Sequence, residues 1–563
     1  MPDTKRRALV TCILCLLAAA AGAQESSPEL PPELTGGLNV LDWGVIAVYA
    51  AAMLGIGAYY ARKIETSEDF YLGGRQMRPS MVGLSLFAAM ISTISYLAEP
   101  GEVMSHGPIA YLMYLASLPI IYLIVGFLLI PHIMKLPITS AYELLEKRLG
   151  MPSRLLGSGI FLLIRFVWMG LVVYTASRAV VTAMGLPLGA LAPTIMIMGT
   201  ITVVYSSMGG LQAVVLTDAI QSLLLIVAAI VCVIIITVKM GGVGWFPTQW
   251  SETWDTQPVF SLDPTVRVTM IGSLIATTVW WVCTAGSDQM AIQRYLATRD
   301  VKSARKAFLI NNIADVCVNV TLISLGFALL GFFREHYPEL LRATLADEKK
   351  GDYLFPLFVV NFMKFGTAGL VIAGMLAAAM SSLSSGLNSA ATVLNTDFLP
   401  LLLRKPLDEK TKVRHGMAVS AVIGVIIILL ALVIENVRGN LFEVTQKTSN
   451  LLVSPLFSLF FLALFVKRAN TFCAMFAAAY GFVVAIVIAF WDLTGATPIS
   501  FQWIGITSLL ASVGAGVALS FLPWDRMTRN SRVLVGIAAA IPLVMLAGLF
   551  IAGIASRSAA AGG

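Results

Sequence analysis

Charge is what this chain has least of. Only 12% of its 563 residues are Asp, Glu, Lys or Arg, about half the share of a water-soluble globular protein. Histidine is almost absent: His106, His132, His336 and His415 stand far apart, which excludes the paired His spacing of a helix-borne metal site. The six cysteines, Cys12, Cys15, Cys232, Cys283, Cys317 and Cys473, also lack paired spacing, so neither a disulfide framework nor a zinc site is expected. No Gly-rich nucleotide loop occurs, and no hydrophilic stretch is long enough to make a soluble domain. Together these absences exclude an ordinary soluble enzyme and an ATP-driven machine contained in this chain. No enzymatic activity is expected.

What fills the chain is apolar: 58% of its residues are hydrophobic. A membrane-spanning helix takes ~20 such residues, so there is material for more than a dozen. Apolar segments fall near 39–61, 80–104, 109–133, 155–184, 188–207, 214–238, 268–287, 307–333, 367–390, 416–434, 448–466, 470–490, 502–522 and 533–555. The fold class is an all-α polytopic membrane protein with about fourteen spans, its partner the lipid bilayer of a plasma membrane (a bacterial inner membrane). Before them, Lys5, Arg6 and Arg7 precede an apolar run ending in Ala21-Gly22-Ala23. This predicts a signal peptide over 1–23, with an uncleaved anchor as the other reading. Residues 24–38 then form an extracytoplasmic tail, and 39–61 an extra N-terminal span.

With that tail outside, the loops alternate. The inner ones collect clusters such as Arg62, Lys63, Arg75 and Arg78, or Arg294, Arg299, Lys302, Arg305 and Lys306. The outer ones hold only Lys239, Arg267, Arg334, Arg342, Lys349, Lys350, Arg438 and Arg557. Basic residues stay on the cytoplasmic side, so both termini are expected outside. The net charge of +7 is then an orientation signal, and no nucleic-acid partner is expected. The outer connection 241–266 carries Trp245, Trp250 and Trp254, suited either to the membrane interface or to packing on the bundle.

Polar residues inside spans are expensive and mark function. Ser381, Ser384, Ser385 and Asn388 share one helix face, with Ser382 and Ser389 alongside and Gly386 as a weak point of the helix. Hydroxyls and freed carbonyls are ligands for a hard cation; close helix packing through small residues is the other reading. Ser92, Thr93 and Ser95 interrupt the second span, and Pro100-Gly101 is positioned to break it. Asp218 lies deep in the sixth span. Arg165 and Arg178 fall in the fourth and Asp315 in the eighth. Arg165 and Asp315 either neutralise each other or serve a solute, and Arg178 is expected to snorkel outwards.

Four motifs carry a resemblance: SEDFYLGGRQM (67–77), GGLQAVVLTDAIQ (209–221), DQMAIQRYLA (288–297) and AAAMSSLSSGLNSAATVLNTD (377–397). In this order the chain, over about 60–535, resembles the sodium:solute symporter family. The resemblance implies the leucine-transporter architecture: two inverted five-helix repeats, here 80–238 and 268–466, followed by C-terminal helices over 470–555. The first helix of each repeat is expected to be unwound near mid-membrane, with Thr277, Thr278, Thr284, Gly286 and Ser287 at the second. Carried over by motif, a Na+ site falls on Ala88, Ile91, Ala378, Ser381 and Ser382. A second site, as in sialic acid carriers, falls on Ser384, Ser385 and Asp218, so one or two Na+ ions are expected.

The solute side departs from well-known members. The positions that bind sugar in sodium–sugar carriers are Ser95, Tyr114, Trp281, Thr284 and Asp315 here, and none keeps its type. Met90 stands where proline carriers have an acid. Arg165 lies in the span whose Arg holds the carboxylate in sialic acid carriers. The candidate solute residues are Ser92, Ser95, Tyr114, Arg165, Trp281, Thr284 and Asp315. The expected activity is Na+-coupled symport of a small hydrophilic solute, with a lean towards a carboxylate such as a sialic acid or monocarboxylate, by a functional monomer. A sugar or amino-acid symporter is the alternative. A transporter-like sensor and a Na+-independent facilitator are the other classes.

Overall fold

The computed structural model describes residue 34 and residues 36–561, apart from 136, 185, 257, 347–350, 403–407 and 435–440. The expected signal peptide and most of the tail lie outside the described residues. Fifteen helical elements carry the architecture: α1 Val40–Ala61, α2 Pro79–Met90, α3 Thr93–His106, α4 Ile109–Ile133, α5 Met151–Ala183, α6 Leu191–Lys239, α7 Met270–Ser287, α8 Gln289–Leu296, α9 Val301–His336, α10 Thr367–Val393, α11 Glu409–Val433, α12 Leu441–Phe465, α13 Thr471–Ala489, α14 Gln502–Ser520 and α15 Arg529–Ala561. No strand occurs among the described residues.

The span count follows from geometry. At ~1.5 Å per residue, the 49 residues of α6 would reach more than twice the ~30 Å hydrocarbon thickness. The element is two helices, interrupted at Gly210 (φ 54°, ψ −165°), so the expected spans near 188–207 and 214–238 are separate. A Cβ at Gly210 would meet Phe70 at 3.0 Å. Glycine is therefore required there both by its backbone conformation and by this close approach. The bent pair α2–α3, turned by 65°, makes one span. Counted this way the described residues hold fourteen spans.

Both helices expected to be unwound are broken. Between α2 and α3, Ile91 (ψ 140°) and Ser92 (φ −128°, ψ 170°) are extended. Between α7 and α8, Asp288 is extended (ψ 126°), and its side chain caps α8 by accepting from Met290 N at 2.8 Å. The first break corrects the sequence expectation. Pro100-Gly101 does not interrupt the helix; α3 runs through it from Thr93 to His106. Gly101 instead lets Asp352 approach, where a Cβ would sit 2.2 Å from its Oδ1. Gly386 likewise does not weaken α10, which is continuous. It makes room for Met169, whose Sδ would be 2.4 Å from a Cβ there.

α10 is the centre of the bundle: 89% of its apolar window is buried, against none for α15 at the periphery. α10 packs on both halves of α6 and on α1. The α1 contact begins at its capping box, where Asn39 and Asp42 bond each other's backbone at 3.0 Å. The free Asp42 oxygen accepts Gly369 N at the start of α10, 2.8 Å away. In the connection 241–266, Trp245 and Trp254 are buried and Trp250 is about half exposed, so packing on the bundle is the reading that holds for the first two.

Candidate functional site

The break in the second span exposes carbonyls that a continuous helix would consume. α10 passes beside it. Ser381 Oγ donates to Ala88 O at 2.8 Å and to Ala378 O at 3.1 Å, and Ser382 Oγ donates to Ile91 O at 2.9 Å. Thr93 Oγ1, at the start of α3, donates to Met375 O at 2.6 Å. All five residues expected for the first ion site therefore converge, each at least nine-tenths buried. They offer carbonyl and hydroxyl oxygens, which suit a hard monovalent cation.

One turn further along α10 lies a charged cluster. Asp218 accepts from Ser384 Oγ at 3.2 Å, from Ser385 Oγ at 2.8 Å, from Ser85 Oγ at 2.7 Å and from Arg294 Nη2 at 2.9 Å. Arg294 also donates to Ser385 Oγ, to Ser85 Oγ at 2.9 Å and to Met290 O at 2.8 Å. Asp218 and Arg294 are both fully buried. The expected trio Ser384, Ser385 and Asp218 is thus assembled. Arg294, however, is corrected from a loop charge to a buried partner of the acid. Its place in the motif 288–297 was the available signal, because a loop arginine has no reason to sit among apolar residues at helical spacing. Asn388, on the same face of α10, pairs with Gln293 Nε2 at 2.8 Å.

Beside the first ion site, with Ile91 common to both, lies a cavity of about 140 Å³. Ser95, Tyr114, Trp281 and Asp315 line it, together with Glu99, Trp168, Trp280, Asn319, Asn450 and Gln502. Four of the seven expected solute residues therefore share one wall system, drawn from spans 2, 3, 7 and 8. The other three do not. Ser92 and Thr284 are buried outside the lining, their hydroxyls without hydrogen-bond partners among the described residues. Arg165 is corrected more fundamentally: its Nη2 donates to Asp288 Oδ2 at the break in span 7, so it neither pairs with Asp315 nor enters the cavity.

Sequence reasoning missed Glu99. It sits one helical turn beyond Ser95, on the same face of α3; treating Pro100 as a break hid that relation. It also missed Glu102, which accepts a forked pair from Arg267 Nη1 and Nη2 at 2.7 and 2.9 Å. Beside it, His106 Nδ1 is 3.0 Å from Asp255 Oδ1. Arg178 Nη2 donates to the Tyr353 hydroxyl at 2.7 Å.

Residues 70–481 match the model of the sodium:solute symporter family. The sodium/sialic acid symporter SiaT of Proteus mirabilis is 30% identical over 493 residues, covering 84% of this chain and 94% of that one. The human sodium-coupled monocarboxylate transporter 1 is 28% identical, covering 81% of this chain and 74% of its own. A solved structure of a Na+-coupled sialic acid symporter, substrate-bound and outward-open, superposes with a TM-score of 0.72 at 27% identity, covering 86% of this chain and 98% of that one. A nucleobase-cation-symport-1 family transporter superposes at 0.51 with 15% identity, over 80% and 93%, a likeness of fold alone.

Proposed function

The chain belongs to the sodium:solute symporter family, and from that premise we propose which residues carry the ion and the solute. The activity is Na+-coupled secondary active symport of a small organic solute, with Na+ as the coupling ion. We assign the inverted repeats to 80–238 and 268–466, the additional helices to 39–61 and 470–555, and both termini to the outer side of a bacterial inner membrane, where the chain works as a monomer.

Na+ binds Ala88, Ile91, Ala378, Ser381 and Ser382. One observation carries this reading: the hydroxyls of α10 reach the carbonyls freed where α2 ends. Ion binding there ties α2–α3 to α10 and fixes one wall of the solute cavity, so ion and solute raise each other's affinity. Rocking of the repeats then opens the cytoplasmic side. The driving force is the Na+ gradient plus ~2.3 kcal/mol per charge per 100 mV of membrane potential. A second Na+ at Ser384, Ser385 and Asp218 fits the acidic oxygen set, and it shares Asp218 with Arg294.

The relatives named for sialic acid and for monocarboxylates support a carboxylate on the solute. With Arg165 paired to Asp288, donors for that carboxylate are the indole N–H groups of Trp280 and Trp281, neither of which has a hydrogen-bond partner among the described residues. The test is uptake into proteoliposomes under a Na+ gradient against an equal K+ gradient. Concentrative uptake with Na+ alone is expected; equal uptake with K+ would make the chain a facilitator.

A further inference from the structure

We infer that the solute carries a positively charged nitrogen, which it presents to Glu99 and Asp315. This rests on the symport reading and names the chemistry of the same cavity. The first observation is a contrast among buried acids. The chain supplies an arginine to Glu102, to Asp218, to Asp288 and to Asp397. Asp42, the other buried acid without one, has both oxygens filled by the N–H groups of Asn39 and Gly369. Among the described residues no arginine reaches Glu99 or Asp315, which are 5% and 3% exposed. Among the described residues Glu99 Oε2 and Asp315 Oδ2 have no hydrogen-bond partner, the bond that Asp315 does make is to the neutral side chain of Tyr114, and no Lys, Arg or His lines the cavity they share. Buried carboxylates without a counter-charge are costly, and a cationic solute brings that charge with it.

The walls fit the same ligand. Tyr111, Tyr114, Trp168, Trp280 and Trp281 surround the space. Trp280 and Trp281 stand perpendicular with ring centroids 5.3 Å apart, and Tyr114 meets Trp281 edge-on at 6.3 Å. Aromatic faces attract an ammonium or quaternary nitrogen, most strongly where water is excluded. The cavity of about 140 Å³ is near the size of one that accepts benzene, which favours a solute of about six to eight non-hydrogen atoms. A solute with only negative charge would find two acids and no counter-charge in this lining. A zwitterion satisfies both ends: its carboxylate meets the Trp280 and Trp281 N–H groups, and its cationic nitrogen meets the acids.

The test uses the purified full chain in Na+, with thermal stabilisation and competition for uptake as readouts. The probes are trimethylglycine, choline and ethanolamine; the neutral choline isostere 3,3-dimethylbutanol; and the anions propionate and N-acetylneuraminate. At least one cationic-nitrogen probe should stabilise and compete, and the neutral isostere should not. Glu99→Gln and Asp315→Asn should each raise its half-saturating concentration by at least about tenfold, while stabilisation by Na+ over K+ persists, showing that both variants fold. Binding of an anion or of the isostere that survives both substitutions overturns the inference. So does silence from all three nitrogen probes while the Na+ effect is present. Absence of any Na+-over-K+ effect in the parent protein would strike the symport reading instead.

Discussion

Arg165 of α5 and Asp288 at the α7–α8 break form a buried ion pair, each side chain about 7% exposed. The pair fixes the fourth span against the broken element of the second repeat. Removing one partner leaves an uncompensated buried charge, which costs ~3–5 kcal/mol. Asp288→Asn should therefore lower the thermal midpoint sharply. Arg165→Lys, which keeps the charge but loses the planar fork, should lower it less. Unaltered melting of Asp288→Asn in detergent would refute a structural role for the pair.

Ser382→Ala removes the hydroxyl that reaches Ile91 O and leaves an apolar methyl in a small-residue position. The variant should reach the membrane in normal amounts. Its half-saturating Na+ concentration should rise by about tenfold or more, equivalent to ~1.4 kcal/mol. An unshifted Na+ titration of uptake would remove Ser382 from the ion site.

Ser385→Ala keeps the Asp218–Arg294 ion pair but deletes a hydroxyl 2.8 Å from Asp218. If a second Na+ binds there, fewer Na+ should move per solute, measured as the ratio of isotope fluxes. An unchanged ratio argues for a single coupling ion.

Gly210 separates the halves of α6 with φ at 54°. Gly210→Val forces a β-branched residue into that conformation, worth ~1–3 kcal/mol of strain, and drives its Cβ into Phe70 at 3.0 Å. A loss of folded yield and a lower midpoint are expected. Wild-type stability would mean that the break is not held by glycine.

Asp255, in the connection 241–266, has opposing influences. Burial pushes its carboxyl up, but the hydrogen bond and charge of His106 and the charge of Arg267 outweigh it and hold the group below its ordinary 3.8. A depressed carboxylate contributes stability above its unfolded value and loses it as pH falls through the folded one. Anchoring of this connection should therefore weaken on the acid side below about pH 4, and on the alkaline side as His106, whose pKa the Asp255 bond raises against the effect of burial, gives up its proton. Asp255→Asn should flatten the acid limb of proteolytic protection over 241–266. An acid limb identical to the parent's would count against the contact.

The span positions were legible because apolar length and loop charge are written locally. The first ion site was legible because Ser381 and Ser382 lie in a dense motif. The partners of the charges were not. Arg294 looks like any inner basic residue until α8 turns it inward to Asp218. Arg165 could be assigned to Asp315 or to a solute because nothing local distinguishes those from Asp288, 123 residues away in the chain. Glu99 disappeared behind Pro100, since proline is usually a helix boundary, and here α3 runs through it from Thr93 to His106.

α3 is fastened at both ends. At its base, Thr93 is bonded to Met375 O, and Ile91 just before it receives Ser382. Near its C-terminal end, which the proposed orientation makes the outer one, Glu102 is gripped by Arg267 and His106 by Asp255. Ser95 and Glu99 lie between, along the roughly 14 Å of helix from Thr93 to Glu102. The helix is thus a lever with a latch at each end and its load in the middle. It can swing about one latch only while the other lets go, so the inner latch, built of hydroxyls and carbonyls, and the outer one, built of full charges, cannot sensibly be released together. Salt and pH act on the charged outer latch far more than on the neutral inner one, giving the two ends separate handles.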